Sequence, residues 1–212
     1  ACSSMYYNAM EKVGVHKRDI LVDRVEEARD SQHEAKETIT NALQQFRAIV
    51  NFQGGDLEIT EDELLLRMQK TLQVMQEAIE YGMTGVRSTG GLVGGDGLRL
   101  KEWQNHTTAS LMGKLAGKAA AYALAANEAN AAMGRICAAP TAGSSGVLPA
   151  VLQALAEERQ FDEGKLGLAL VTAGAIGMVI ASRASLAGAE GGCQAECGSA
   201  AAMAAGAVVD LM

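Results

Sequence analysis

Hydrophobic positions along this chain recur at intervals of three and four residues and never alternate long enough to define a strand, so the pattern predicts helices. Ile20, Val25, Ala28, Ala35, Ile39, Leu43 and Phe46 fall at helical spacing among Glu, Lys, Arg and Gln, giving an amphipathic helix from Asp19 to Phe46 with a break near Ser31-Gln32-His33. Gln53-Gly54-Gly55-Asp56 marks a turn. Thr60-Glu61-Asp62-Glu63 is a cap signature, opening a second helix that runs to about Tyr81. Gly82 to Gly97 reads as a glycine-rich loop, and Asn105 to Met133 as one long or two shorter Ala-rich helices. Pro140 breaks the helical pattern; Val147 to Arg159 forms the next helix, with Pro149 tolerated in its first turn. After a polar connector from Phe161 to Gly164 come two apolar helices, Leu166 to about Ile180 and Ala195 to Met212, the second interrupted or capped by glycines.

Composition narrows the fold. Hydrophobic residues make up 49% of the 212, but aromatics only 4%, with 24 glycines and 2 prolines. A core made of Ala, Leu, Met and Val favours close-packed helices over a sheet, which draws on β-branched and aromatic residues. The expectation is an all-α, compact bundle of Ala/Gly-rich helices with glycine-rich loops at helix starts. It forms a single domain over 1–212, with a charged amphipathic front at 1–81 and an apolar core at 82–212. The formal charge of −7 argues against nucleic acid and anionic membrane surfaces, both of which select basic patches. The run from Leu166 to Ser185 approaches the length of a membrane span, but it holds Thr172, three glycines and Arg183 and reads as a buried helix. The opening Ala1-Cys2-Ser3-Ser4-Met5 is not a basic-plus-apolar leader, and four scattered cysteines fit a reducing, cytoplasmic setting better than a disulfide framework.

Candidate chemistry sits mostly in three glycine-bearing stretches. Ser88-Thr89-Gly90, leading into Gly91-Leu-Val-Gly-Gly-Asp96-Gly97, supplies hydroxyls and close backbone approach but lacks the Lys-Ser/Thr ending of a phosphate loop; it is either an anion cradle or a connector. Thr141-Ala142-Gly143-Ser144-Ser145-Gly146 lies directly before a helix, where amides and hydroxyls suit a carboxylate or phosphate, or where a serine serves as a plain N-cap. Cys193 and Cys197 are four apart, so on a helix they share a face and can reach one metal, though no Cys or His pair at ligand spacing accompanies them. His16, His33 and His106 are isolated, and Cys137 reads equally as a small core residue.

Taken together, Asn127-Glu-Ala-Asn-Ala-Ala-Met-Gly-Arg-Ile-Cys-Ala-Ala-Pro-Thr-Ala-Gly-Ser-Ser-Gly-Val-Leu-Pro-Ala150, Thr172-Ala-Gly-Ala-Ile-Gly177 and Ala184-Ser-Leu-Ala-Gly-Ala-Glu-Gly-Gly-Cys-Gln-Ala-Glu196 resemble the α chain of the iron-sulfur-dependent L-serine dehydratases. Gly91-Leu-Val-Gly-Gly-Asp96 is similar to that family's Gly-Leu-Thr-Gly-Gly-Asp loop. The resemblance runs from about residue 80 onward and implies a helical domain that converts L-serine to pyruvate and ammonia at a four-iron four-sulfur cluster, without pyridoxal phosphate. Three cysteines hold that cluster in the family, leaving one iron open to substrate. The first of them falls on Cys193; the other two lie in Cys-Asp-Pro and Val-Pro-Cys motifs, which this sequence does not contain.

The resemblance therefore implies an α domain incomplete at its C-terminus, inactive when tested alone, whose partners are L-serine and a β chain or β domain in a homo- or hetero-oligomer. Ser144 and Ser145 become candidate catalytic residues for the α-proton, with a residue of a missing segment as the equal alternative. Ser88, Thr89, Gly90, Thr141, Ala142 and Gly143 become candidate binders of the substrate carboxylate, and Cys193 the metal ligand. Two readings of other kinds stand beside it: a helical scaffold whose glycines serve packing, and a module binding a phosphorylated metabolite at its glycine-rich loops. A pyridoxal enzyme is disfavoured because no lysine sits in a loop framed for a Schiff base.

Overall fold

The computed structural model describes residues 60–106 and 110–212, which all belong to one compact unit spanning 45–212. The helix expected over Asp19–Phe46, the turn at Gln53–Asp56, and His16, His33 and Cys2 lie outside the described residues. Among the described residues six helices follow one another: α1 (Glu61–Met83), α2 (Asp96–His106), α3 (Gly113–Ala131), α4 (Val147–Arg159), α5 (Glu163–Arg183) and α6 (Gly188–Leu211). Among the described residues there is no strand, only an isolated bridge between Arg87 and Gly94. The fold is all-α, as the pattern predicts.

Local signals place most helix ends. Thr60 accepts the Glu63 amide on its hydroxyl at 3.2 Å and starts α1. Asp162 does the same for the Lys165 amide at 2.9 Å and starts α5 within the stretch expected to be a connector. Gln160 ends α4 in the left-handed conformation, φ 56. Two boundaries differ from the expectation. The loop from Gly82 does not run to Gly97, because α2 starts at Asp96 and is over by His106, while α3 starts only at Gly113. The last helix starts at Gly188, not Ala195, and is broken at Gly192, whose φ of 73 interrupts the helical path just before Cys193.

Two clusters form the interior, and α4 contributes to both. In the larger, Leu72 and Met75 of α1, Leu148 and Leu152 of α4, Leu166, Ala169, Leu170 and Ala173 of α5, and Met203, Ala204, Ala207 and Leu211 of α6 pack with Ala139. In the smaller, Ile79 meets Tyr122 and Ala126 of α3 and Ala150 and Ala154 of α4. With alanines at so many facing positions, helices approach until backbone meets backbone. A Cβ at Gly82 would overlap the Ala125 carbonyl, and one at Gly97 would stand 2.8 Å from the Ala125 nitrogen. α5 is long and apolar enough to cross a bilayer by length and composition. Here one face of it is the centre of the larger cluster and the other exposes Leu168 and Met178.

α3 and α4 are also joined by a polar clasp. The Tyr122 hydroxyl donates to the Glu157 carboxylate at 2.9 Å and 3.0 Å, and Lys118 Nζ reaches it at 3.0 Å. Burial, then the hydrogen bond and the charge of Glu157, push the Tyr122 pKa up to about 12, so this proton stays on the ring. For Glu157 burial acts to raise the carboxyl pKa, but hydrogen bonds from Gln153, Lys118 and Tyr122 outweigh it and hold the group below 4.5.

Two predictions follow from this packing. Gly82→Ala should destabilise the fold by about 3 kcal/mol in chemical denaturation, backbone overlap overriding the helix propensity that favours alanine. Gly174→Ala, with nothing within 4 Å of the added Cβ, should stabilise it by about 0.5–1 kcal/mol. A carboxyl with a lowered folded pKa stabilises above its unfolded value and ceases to do so as pH falls through the folded one. Glu157→Gln should therefore cost stability at pH 7, by less than about 1 kcal/mol for so solvated a group, and the difference should shrink as pH falls through the acid range below the ordinary carboxylate value, as read by urea titrations across that range.

Candidate functional site

The C-terminal half of α3 holds both upstream glycine-rich loops. The loop before α2 closes on itself: Ser88 donates its amide to the Val93 carbonyl at 2.8 Å and accepts the Val93 amide on its hydroxyl at 3.2 Å. Thr89 and Gly90 are exposed at its tip. Its end is tied to α3 by Glu128, whose Oε1 accepts the amides of Asp96 at 2.6 Å and Gly97 at 3.2 Å. This buried carboxylate, 3% exposed, caps α2 from 31 residues away and balances the positive end of its dipole. Its Oε2 has no partner among the described residues.

The loop before α4 is anchored by the amide side chain of Asn130, which donates to the Ala142 carbonyl at 3.0 Å. Inside it, Thr141 Oγ1 and Ser144 Oγ lie 3.0 Å apart, and Ser144 Oγ is 3.5 Å from the Ala139 carbonyl. Ser144 and Ser145 are 1% and 2% exposed, and the Ser145 hydroxyl has no partner among the described residues. Ala142 and Gly143 form the loop's exposed surface. No side chain caps α4; the Val147 amide donates to the Ser144 carbonyl at 3.1 Å, the Ala150 amide to the Gly146 carbonyl at 3.3 Å and Pro149 has no N–H, which leaves the Leu148 amide of the first turn.

The helix repeat separates the two loops. Gly97 packs on Ala121 and Ala125, in line with Glu128, whereas Gly146 packs on Ala123 and Asn127, in line with Asn130. At 3.6 residues per turn those two rows are on opposite faces of α3. Ser88, Thr89 and Gly90 are thus not gathered with Thr141 to Ser145. What meets the second loop is the third glycine-bearing segment. A Cβ at Gly143 would be 3.2 Å from Glu196 Oε2 and one at Gly188 2.7 Å from it, so both glycines make room for that carboxylate. Cys193 and Cys197 flank it on α6 with their sulfurs 3.8 Å apart, both exposed. The hydrogen bond to Cys193 is the main cause of a raised Cys197 pKa.

Cys137 is elsewhere: it packs against the larger hydrophobic cluster, and burial pushes its thiol pKa up. His106 is exposed at the end of α2. Among the described residues no three His, Cys, Asp or Glu side chains are grouped to hold a metal ion. The thiol pair therefore fits one edge of a soft-metal or iron-sulfur site and not its full ligand set. Glu196, Glu128 and Asn130 are the site residues that pattern reading missed. The available signal was two acidic side chains standing on otherwise small-residue helix faces, positions normally left to alanine or glycine.

Glu128→Ala should cost about 2–4 kcal/mol of unfolding free energy, since it leaves two amides without acceptors as well as a small void. Urea denaturation measures this.

The known proteins similar to this chain belong to one family. The model of the serine dehydratase alpha chain family matches residues 15–212. A protein of Bacillus subtilis (strain 168) named probable L-serine dehydratase, alpha chain, is 45% identical over 159 residues, 74% of this chain and 53% of its own length. The L-serine dehydratase alpha chain of Peptoniphilus asaccharolyticus is 42% identical over 154 residues, 72% of this chain and 52% of its own. The L-serine dehydratase of Streptomyces coelicolor is 38% identical over 159 residues, 72% of this chain and 34% of its own. The chain thus spans about half the length of the first two relatives. No solved structure matches it.

Proposed function

This chain belongs to the serine dehydratase alpha chain family, and from that premise we propose that it is the catalytic α part of a cytoplasmic enzyme that eliminates water from L-serine, the resulting enamine tautomerising to an imine that water hydrolyses to pyruvate and ammonia. The supporting observation is the meeting of its two signature segments, with the Glu196 carboxylate seated against Gly143 and beside Cys193 and Cys197.

Each group there has a task in such a reaction. The exposed Ala142-Gly143 backbone lies at the uncapped start of α4, where the helix dipole favours the substrate carboxylate. Glu196 offers a negative charge to the substrate ammonium. Thr141 holds Ser144 in place through their 3.0 Å contact. Ser145, whose hydroxyl is buried and unpartnered among the described residues, exchanges the α-proton in this reading. Ser88, Thr89 and Gly90 take no part in this constellation; their loop is a fixed prop of α2.

The family resemblance implies a four-iron four-sulfur cluster, and Cys193 is the residue of this chain that would hold it, with Cys197 within reach as a second thiol. When bound, the cluster supplies a Lewis acid for the departing serine hydroxyl. The described residues provide only part of its ligands, so a complete site takes further cysteines together with a β chain or β domain.

Anaerobic iron-sulfur reconstitution of the complete α/β enzyme tests this reading. A visible cluster band that shifts on adding L-serine, and that Cys193→Ser abolishes, is the expected result. Ser145→Ala should keep the band and lower kcat by about 100-fold or more. A protein that takes up no cluster and shows no response to serine would return the chain to a helical scaffold.

A further inference from the structure

Away from the glycine-rich loops, α2 and the first half of α3 enclose a cavity of about 690 Å³, within the range of small-molecule sites. Lys101 reaches it from α2, and Lys114 and Lys118 from one face of α3, one turn apart. No acidic side chain lines it among the described residues, in a chain whose net charge is −7. Glu157, which pairs with Lys118, is also engaged by Gln153 and Tyr122. Lys101 and Lys114 have no carboxylate partner among the described residues.

This concentration of positive charge runs against local helix preference. Like charges four apart on a helix repel, as Lys114 and Lys118 do, and a lysine in the first turn faces the positive end of the dipole. That end is otherwise bare: α3 has no acidic residue in its first turn and no side-chain cap, and Gly113 at its start is part of the cavity wall. An anion in the cavity relieves both conditions at once. Ammonium groups bind phosphate as point charges, and the amides of a helix start add donors for its oxygens. The Tyr122 ring supplies an apolar wall for the remainder of a ligand.

We propose that this cavity binds a small phosphate-bearing metabolite, at a site separate from the segments that carry Ser145 and Cys193. Isothermal titration of the chain with inorganic phosphate, with acetate run alongside at the same ionic strength, tests it. Saturable one-site binding of phosphate, at least about tenfold tighter than acetate, is the expected result. Lys101→Gln with Lys114→Gln should weaken it by about tenfold or more at unchanged helicity, whereas Lys165→Gln on α5 should leave it as it was. Heats that do not saturate, equal affinity for acetate, or phosphate binding that survives the double substitution would overturn the proposal.

Discussion

The helices that lean on α3 reach it through a glycine: Gly82 of α1 and Gly97 of α2 against Ala125, and Gly146, just before α4, against Ala123. The absence of three side chains brings backbones into direct van der Waals contact, closer than the usual 8–10 Å between helix axes with larger residues at the crossing. Dispersion between atoms packed at that density is what a core with so few aromatic rings relies on. Tyr122 is its one buried aromatic among the described residues, and its hydroxyl is satisfied by Glu157.

Close approach also explains the polar groups inside. Where Gly97 brings the start of α2 onto α3, its first amides would be sealed from water without acceptors, and Glu128 is the group in position to accept them. Where Gly146 brings the next loop onto the opposite face, Asn130 meets the Ala142 carbonyl. The single helix α3 therefore fixes two loops independently. Only the second is carried on to a partner segment, through Gly143, Gly188 and the Glu196 carboxylate. The proposed chemistry lies on that face, and the lysine-lined cavity lies toward the other end of the same helix.

Much of this was legible beforehand. The spacing of apolar residues and the cap at Thr60 are local, so α1, α4 and α5 are placed to within a few residues, although the Asp162 cap that starts α5 fell in the expected connector, and the Ala/Gly composition favours a helical core. The four-residue spacing of Cys193 and Cys197 puts their sulfurs on one face, as the structure bears out.

α2 was hidden because its cap comes from Glu128, 31 and 32 residues further along the chain, and no window of neighbouring residues contains that information. For the same reason the sequence could present Ser88 to Gly90 and Thr141 to Ser145 as equivalent hydroxyl-bearing loops. Helical phase along α3 decides that they face opposite ways, and the Glu196 carboxylate decides which of them meets the cysteines. What the sequence by itself determined is the helices other than α2 and the residue types available for chemistry, because these depend on contacts a few residues apart. Which of those residues share a site was decided only by the tertiary structure, because that depends on where backbones without side chains can touch.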